Sequence, residues 1–310
     1  MATTQVRVKR PLRKARILSN KVRTTLIKAS KKKEIDVVVG GSVAHGTALP
    51  GHFDIDLTVF SLSLHPIKHT VTEQTYKDGM EQIIHCLQRH LTNHYKIKDP
   101  EELYGNHGRR FQCWHFQVDL SLSPKWENLE DMYKYMKMNP STRKLFSTGV
   151  TEFHNDILKS QPDRVKVLIK RFKAWRNEIW LPDSPSGGCP KSIFLSFLVI
   201  ISYNSAPESY KQARRPRTLA KWMTKDLQRL ANEKSSSLDL QVPGQNPLIM
   251  EKYSDILPKP PRILDPANPF KNFYRQGLGE VEPSGGEDIK KRWEIFAKKI
   301  KTLNLVMNIT

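Results

Sequence analysis

Hydrophobic and polar positions repeat differently in the two halves of the chain. A continuous apolar run at Ile35–Val39 ends at a Gly-Gly pair, which predicts a buried strand entering a tight turn. A second strand is predicted from Asp54 to Phe60, and a third from Phe111 to Leu120, where aromatic and β-branched residues alternate with polar ones. Apolar residues at helical intervals between Thr70 and Asn93 predict a long helix that leads away from these strands.

Helical patterns occupy both ends of the chain. A basic helix is predicted from Arg13 to Ser30, and no strand pattern follows Pro124. Five further helices are predicted, and they run from Phe153 to Ser160, Arg164 to Trp180, Lys191 to Tyr203, Thr218 to Ala231 and Asp288 to Leu303. The pattern therefore predicts an α+β protein with a basic segment at 1–33, a lobe with a mixed sheet at 34–150 and a mainly helical lobe at 151–310.

The charge balance narrows the choice of partner. The 310 residues include 51 Lys and Arg against 31 Asp and Glu, which gives a formal net charge of +20. This excess favours a polyanion, with nucleic acid as the first expectation and an anionic membrane surface as the alternative. Twelve Lys and Arg residues precede the first acidic residue, Glu34, so the charge is concentrated at the front. The same Arg-rich segment is compatible with a mitochondrial targeting sequence or, through Lys31–Lys33, a nuclear one.

The number and spacing of the cysteines, together with the hydropathy, exclude several classes of protein. The three cysteines, Cys86, Cys113 and Cys189, are far apart and form no CxxC pair, so neither a disulfide framework nor a zinc site is predicted. A reducing compartment is expected: the cytoplasm, with the nucleus as the alternative. The most apolar stretch, Ile193 to Tyr203, is about half the length of a membrane-spanning helix, so it predicts a buried helix and no membrane partner.

Two carboxylates on the second predicted strand carry the strongest chemical signal. The two-residue period of a strand places Asp54 and Asp56 on one face, about 7 Å apart, while the intervening apolar residues face a core. Such a pair can hold divalent metal ions in a two-metal phosphoryl-transfer site, which commonly needs a third carboxylate from elsewhere. Asp119 is the best third candidate, because apolar residues flank it on a neighbouring predicted strand.

A glycine-rich turn supplies the complementary part of the site. Glycines at 40 and 41 let backbone N–H groups approach phosphate oxygens, and Ser42 adds a hydroxyl donor. Alone, either this turn or the Asp-x-Asp pair is most often an ordinary loop. The combination of the turn, the Asp-x-Asp pair and Asp119 is much rarer than either motif alone. It lacks the features of a Walker A loop or a Rossmann fingerprint, and it resembles the nucleotidyltransferase superfamily of DNA polymerase β.

Three further stretches narrow the resemblance: Phe146 to Phe153, Val165 to Trp175, and Ile263 to Pro269. With the turn and the carboxylates, they resemble the 2′-5′-oligoadenylate synthetases and the cyclic GMP-AMP synthase-like receptors. The resemblance implies a bilobed nucleotidyltransferase fold and an enzyme that joins nucleotides with release of pyrophosphate. It spans about Val37 to Asn272.

The resemblance also implies roles for individual residues. Asp54, Asp56 and Asp119 would bind two Mg²⁺ ions, with Mn²⁺ as an alternative, and Asp119 would activate the attacking hydroxyl. The implied nucleotide-binding residues are Gly41, Ser42, Lys170, Lys173, Lys191 and Ser192. Those implied to contact an activating RNA duplex are Arg10, Arg13, Lys14, Lys21, Lys28, Lys159 and Arg164.

The chain departs from the synthetase pattern at several positions. His45 stands where the synthetases carry a lysine, so it either meets a phosphate or acceptor nucleotide or is an exposed loop histidine. Asn155 and Asp163 replace expected residues on the RNA-binding face. Cys113 with its neighbouring histidines does not have the spacing of a zinc-binding thumb, so no zinc is expected.

The implied function is double-stranded-RNA-activated, template-independent synthesis of a linear 2′-5′-linked oligoadenylate messenger from ATP, in innate immune and antiviral sensing. GTP is a second candidate substrate. Three alternatives stay open at this point: a cyclic dinucleotide synthase that senses RNA, a catalytically silent RNA-binding relative, and a terminal nucleotidyltransferase that extends RNA 3′ ends.

Overall fold

The computed structural model describes residues 2–30, 35–51, 53–61, 72–95, 98–103, 108–113, 115–180, 189–213, 216–232, 239–240, 251–278 and 286–306. The chain divides into two compact units, Met1–Ser160 and Gln161–Thr310. None of the helices described is both long enough and apolar enough to span a bilayer. The α+β class predicted from the sequence is confirmed, with the mixed sheet on the N-terminal side and a mainly helical C-terminal part.

The first unit combines a sheet with helices on its faces and ends. In chain order its elements are α1 (Ala2–Ser30), β1 (Ile35–Val39), α2 (Gly41–His45), β2 (Ile55–Ser61), α3 (Glu73–Tyr95), β3 (Lys98–Leu103), β4 (Gly108–Cys113), β5 (Phe116–Pro124), α4 (Leu129–Met138), a 3₁₀ segment (Pro140–Val150) and α5 (Thr151–Lys159). The described strands form one sheet in the order β1-β2-β5-β4-β3. Strands β2 and β5 run parallel, and the other neighbours are antiparallel.

The third predicted strand is wrong in its extent. The stretch from Phe111 to Leu120 is two strands, because the chain reverses between Cys113 and Phe116 to form the antiparallel hairpin β4–β5. Alternation of apolar residues continues through the reversal, since both strands present one face to the same core, and a short turn leaves no interruption in the pattern. The edge strand β3 was not predicted, because its sequence KDPEEL is polar and contains a proline.

Helix α1 packs directly on the sheet. Ala15, Leu18, Val22 and Leu26 recur at helical spacing and are almost fully buried. Burial of each of the larger side chains contributes roughly 1.5–3 kcal/mol. The Ser19 hydroxyl donates to the carbonyl oxygen of Val37 in β1 at 2.7 Å, which ties the helix to the strand that leads into the glycine turn. The basic N-terminal segment is therefore a docked helix and not a tail.

The second unit is helical around a buried central helix. Its elements are α6 (Asp163–Ile179), α7 (Ser192–Ser205), α8 (Glu208–Lys211), α9 (Pro216–Asn232), β6 (Asp239–Leu240), β7 (Arg262–Asp265), β8 (Asn268–Asn272), α10 (Phe273–Gln276) and α11 (Gly286–Val306). Helix α7 is buried from Phe194 to Ser202, as its apolar sequence predicts.

The expectation that no strand follows Pro124 is wrong. Strands β6, β7 and β8 form a small sheet in that order, with β6 parallel and β8 antiparallel to β7. These strands are two to five residues long, too short for an alternating pattern to stand out from the surrounding loops.

Candidate active site

The parallel pairing of β2 and β5 brings the predicted carboxylates together. Asp56 lies directly opposite Asp119 in the register of the two strands, and Asp54 immediately precedes β2. Their neighbours Ile55, Leu57, Val118 and Leu120 are almost fully buried, so these apolar residues hold both strands in place from the opposite face. The three carboxylates remain partly exposed. A polar site therefore stands on a rigid apolar support.

The pKa of Asp54 responds to its burial and to the charges of Asp119 and Arg110. Partial burial raises the pKa of Asp54, the negative charge of Asp119 raises it further, and the positive charge of Arg110 lowers it. A cation bound between the carboxylates would relieve the repulsion. Carboxylate oxygens are the donors that Mg²⁺ prefers, so the residues fit this ion in chemical kind. In the part of the chain that the structure describes, however, no three Asp, Glu, His or Cys side chains are grouped closely enough to hold a metal ion together.

Arg110 is a site residue that sequence reasoning missed. It lies opposite Asp119 in the β4–β5 hairpin, and its guanidinium binds that carboxylate in a fork: Nε to Oδ1 and Nη2 to Oδ2, each at 2.8 Å. The side chains are 31% and 13% exposed, respectively. A carboxylate has about four lone-pair positions, so the fork leaves roughly two for a metal ion or a proton. Hairpin pairing is the signal that would have found Arg110, but the apolar pattern runs through both strands as if they were one.

The glycine turn lies against the carboxylates. Gly40 continues the extended backbone, Gly41 has φ +62°, and α2 ends at Gly46 with φ +72°. A Cβ atom on Gly41 would lie only 1.6 Å from Oδ2 of Asp56, so this close approach requires glycine. The Gly40 N–H donates to the carbonyl oxygen of Asp56 at 2.8 Å. The predicted phosphate-binding turn and the predicted metal-binding strand are thus in direct contact.

His45 is buried at the C-terminal end of α2, with 5% of its surface exposed. The alternative of an exposed loop histidine is therefore wrong. The short helix places His45 on its inward side together with Val43 and Ala44, whereas Ser42 is partly exposed on the turn. Ser42 is consequently the more accessible of the two for a phosphate.

The nucleotide-binding residues predicted in the second unit lie on two helices. Lys170 and Lys173 are one turn apart on α6, where Lys173 is buried and burial lowers the pKa of Lys170. Lys191 caps α7, and Ser192 is its first residue. Arg176, which sequence reasoning missed, donates from Nη1 to the Ser192 hydroxyl at 2.6 Å. The Ser192 hydroxyl accepts this bond, which leaves its O–H as a donor.

The residues predicted to contact RNA are mostly on the surface. On α1, Arg13, Lys14, Lys21 and Lys28 are exposed, while the side chain of Arg10 lies outside the described part of the chain. Lys159 is exposed in the first unit and Arg164 in the second. Asn155, which departs from the synthetase pattern on that face, is instead buried and points towards the sheet.

Comparison with known families and proteins gives a match in the N-terminal part of the chain. Residues 20–104 match the model of the nucleotidyltransferase domain family, a range that contains the glycine turn, Asp54 and Asp56. Over this range the chain is similar to the nucleotidyltransferase domain family. Rat 2′-5′-oligoadenylate synthase 2 is 23% identical to it over 307 residues, which cover 92% of this chain and 40% of the rat protein. The human protein of the same name is 25% identical over 299 residues, which cover 86% of this chain and 38% of the human protein.

Solved structures of nucleotide-transferring enzymes share the fold of this chain. The structure of CdnC with ATP from E. coli MS115-1 has a TM-score of 0.61 at 15% identity, covering 98% of this chain and 91% of that one. Terminal uridylyl transferase 4 from Trypanosoma brucei with bound GTP has a TM-score of 0.56 at 15% identity, covering 95% and 92%. The resemblance found in the sequence is confirmed. The chain spans 40% or less of the length of the curated relatives it matches first.

Proposed function

We propose that this chain is a Mg²⁺-dependent, template-independent nucleotidyltransferase that makes a 2′-5′-linked oligoadenylate messenger from ATP when double-stranded RNA activates it. The observation that carries the proposal is the register of β2 and β5, which sets Asp56 opposite Asp119 and next to Gly41. Two predicted metal ligands, of which Asp119 is also the predicted base, are thus neighbours, and the predicted phosphate-binding turn lies against Asp56. Mn²⁺ is an alternative ion, GTP is a second candidate substrate, and antiviral sensing in the cytoplasm, with the nucleus as the alternative, is the proposed setting.

Each group of the site has a part in the proposed reaction. The N–H groups of the turn and the Ser42 hydroxyl bind the triphosphate, and the three carboxylates hold the divalent ions, which when bound neutralise charge on the phosphates. Asp119 accepts the proton of the attacking 2′-hydroxyl. The bond from that oxygen to the α-phosphorus forms, the bond from the α-phosphorus to the bridging oxygen breaks, and pyrophosphate leaves.

The docked position of α1 supports RNA as the activator. Its exposed side carries Arg13, Lys14, Lys21 and Lys28, while its buried side holds β1 through Ser19. Lysines and arginines that bind phosphates respond to the shape and charge of a duplex without reading its sequence. A duplex bound to this face would act on the strand that leads into the glycine turn. This link favours an RNA-regulated enzyme over a constitutive one.

Two observations bear on the alternatives. The fold neighbours include a c-di-GMP synthase, CdnE from Capnocytophaga granulosa, with a TM-score of 0.55 at 12% identity. This keeps a cyclic product as the second candidate, although a likeness at this level concerns the fold alone. The proximity of Asp54, Asp56 and Asp119 argues against a catalytically silent relative, because the charge of Asp119 raises the pKa of Asp54 and a bound cation would relieve that repulsion.

One product assay separates the candidates. The purified chain is incubated with labelled ATP and GTP, Mg²⁺ and blunt duplex RNA with blocked ends, and the products are treated with phosphatase. Linear 2′-5′ products lose their terminal phosphates, whereas a closed ring is resistant. In a parallel reaction with unblocked RNA, extension of the RNA end would indicate a terminal transferase. Asp119→Asn is expected to abolish pyrophosphate release. If this variant and the wild type release pyrophosphate equally, the proposed enzyme is wrong.

A further inference from the structure

Asn155 makes a long-range hydrogen bond to the strand before the glycine turn. It lies on α5 with only 3% of its surface exposed, and its Nδ2 donates to the carbonyl oxygen of Val39 at 2.9 Å. Val39 is the last residue of β1, so the next peptide bond begins the turn. The bond joins residues 116 positions apart in the chain. A residue on a surface helix is therefore connected to the first peptide of the candidate phosphate-binding turn.

With this bond, both polar groups of the peptide between Val39 and Gly40 are hydrogen-bonded. In the peptide between Val39 and Gly40, the carbonyl oxygen accepts from Asn155, and the N–H donates to the carbonyl oxygen of Asp56 at 2.8 Å. Both polar groups are thus held, one by α5 and one by β2. Rotation of this peptide would break a hydrogen bond on either side. Its orientation in turn sets where the N–H groups of the following residues point.

The start of α5 closes against the same turn. A Cβ atom on Gly40 would lie 2.7 Å from the Cγ2 methyl of Thr151. The Thr151 hydroxyl donates to the carbonyl oxygen of Thr148 at 2.7 Å and lies 3.0 Å from the Thr58 hydroxyl in β2. Helix α5 is consequently anchored to the strand that also carries Asp56. It provides a fixed support from which Asn155 reaches the turn.

The oxygen atom of the Asn155 amide, Oδ1, differs from the nitrogen in its surroundings. This atom is buried and has no hydrogen-bond partner among the described residues. A buried acceptor without a partner is costly, and a leucine of similar size would avoid that cost. The hydrogen bond that Asn155 donates to Val39, and not the packing of α5, therefore explains an asparagine at this position.

We infer that Asn155 is a positioning residue for the nucleotide site: it orients the Val39–Gly40 peptide and through it the phosphate-binding turn and Asp56. The inference rests on the proposed nucleotidyl transfer and adds a residue that acts on the site without touching substrate. It is separable from the RNA-binding function of the surrounding surface, because the Asn155 side chain points to the sheet.

The test compares a variant on α5 with a control at Ser160, the C-cap residue that follows this helix. Asn155→Leu removes the donor and keeps similar volume, whereas Ser160→Ala removes the bond from the Ser160 hydroxyl to the carbonyl oxygen of Ile157 at 2.9 Å, at the far end of α5. Asn155→Leu is expected to raise the Kd for ATP with Mg²⁺, measured by calorimetry, and the KM for ATP about tenfold, which corresponds to about 1.4 kcal/mol. The kcat is expected to change less. The control is expected to leave Kd and KM unchanged.

Thermal unfolding separates positioning from stability. For Asn155→Leu the loss of the hydrogen bond is partly compensated by removal of the unpartnered Oδ1, so the Tm is expected to shift by no more than about 4 °C. Asn155→Asp, which keeps the shape and replaces the donating group by an oxygen, is a second variant expected to weaken ATP binding at least as much.

Three results would overturn the inference: an unchanged Kd in both Asn155 variants, the same loss of affinity in Ser160→Ala, or loss of the folded state in both Asn155 variants. Failure of the proposed function is a different outcome, because it would appear as ATP binding by the wild-type chain without any nucleotidyl transfer.

Discussion

At the scale of single residues, three charged side chains lie side by side on neighbouring strands of the first sheet. Asp56 on β2, Asp119 on β5 and Arg110 on β4 are successive neighbours in the register. The arginine is the only one of these three with a positive charge. It holds Asp119 in a bidentate geometry, and its charge lowers the pKa of Asp54, against the larger effect of burial. The Arg110 side chain thus orients Asp119 and also adds a positive charge next to the carboxylates.

Replacing this arginine has a predictable effect on rate and pH dependence. Arg110→Gln is expected to lower kcat by roughly 10- to 100-fold, the range typical of removing a side chain that supports a metal ligand. Because Arg110 lowers the pKa of Asp54, its loss raises that pKa, and the acidic limb of the rate profile is expected to move to higher pH. Pyrophosphate release measured across pH checks both effects. Arg110→Lys, which keeps the charge and loses the fork, should restore the pH profile more fully than the rate.

Two glycines with positive φ offer a matched pair of substitutions. Gly41→Ala would place Cβ 1.6 Å from Oδ2 of Asp56, whereas Gly46→Ala would meet no atom within 4 Å. Both alanines carry backbone strain of about 1–2 kcal/mol, which lowers the free energy of unfolding by a similar amount. Only the first displaces a candidate metal ligand. Activity is expected to fall roughly 100-fold or more in Gly41→Ala and to stay within a few-fold in Gly46→Ala.

Denaturant unfolding and product formation, measured on the same samples, test this pair. Equal losses of activity in the two variants would show that strain in the turn, and not the approach to Asp56, governs the site.

At the scale of elements, helix α1 has one apolar face that packs on the sheet and one basic face that is exposed to solvent. Its buried stripe of Ala15, Leu18, Val22 and Leu26 packs on the sheet, and the opposite side exposes basic residues to solvent. The apolar stripe and Ser19 make the buried contacts with the sheet. Among the basic residues, Arg23 pairs with Asp36 of β1 and Lys14 lies over the ring of Phe116, while Lys21 and Lys28 are exposed. The basic side is therefore available for a partner.

Charge removal on α1 is expected to weaken RNA binding without unfolding the protein. Replacing Lys14, Lys21 and Lys28 by Gln should reduce the slope of log affinity against log salt concentration by up to about one unit for each lysine–phosphate pair that the substitutions remove. Lys134→Gln is the control, because that lysine is exposed on α4 in the same unit and faces Glu130 and Asp131. A salt slope that is identical in the triple variant, the control and the wild type would exclude α1 from the RNA-binding surface.

At the scale of the whole molecule, the three cysteines report on folding in the two units. Cys189 is exposed, Cys86 is partly buried and Cys113 is fully buried in β4. Burial raises the pKa of the Cys113 thiol to about 12, so its reactive thiolate is scarce at neutral pH. The environment around each thiol, rather than its position in the chain, sets the order in which they react.

Thiol labelling of the native protein is expected to modify Cys189 first, Cys86 more slowly and Cys113 only after unfolding. Mass spectrometry of tryptic peptides over a time course, with and without denaturant, measures this order. Rapid native labelling of Cys113 would contradict the buried position of β4 next to the candidate site.

The local pattern of apolar residues was sufficient for the first two strands and for the longest helices. Continuous or periodic runs predicted β1 with its observed bounds, and they predicted β2, α3 and the long C-terminal helices within a few residues. The same local information failed where two strands share one pattern, as in the hairpin β4–β5, and where strands are very short, as in β6 to β8. Periodicity records which face of an element is buried and not where the chain reverses.

By itself, the sequence determined the α+β class, the glycine turn, the Asp54 and Asp56 pair and the basic surface of α1, because each depends on neighbouring residues. Only the tertiary structure decided that Arg110 binds Asp119 and that Asn155 holds the peptide before Gly40. These contacts depend on strand register and helix docking, which bring together residues that are distant in the chain. Their free energy comes from burial and pairing in the folded state, so no local pattern records them.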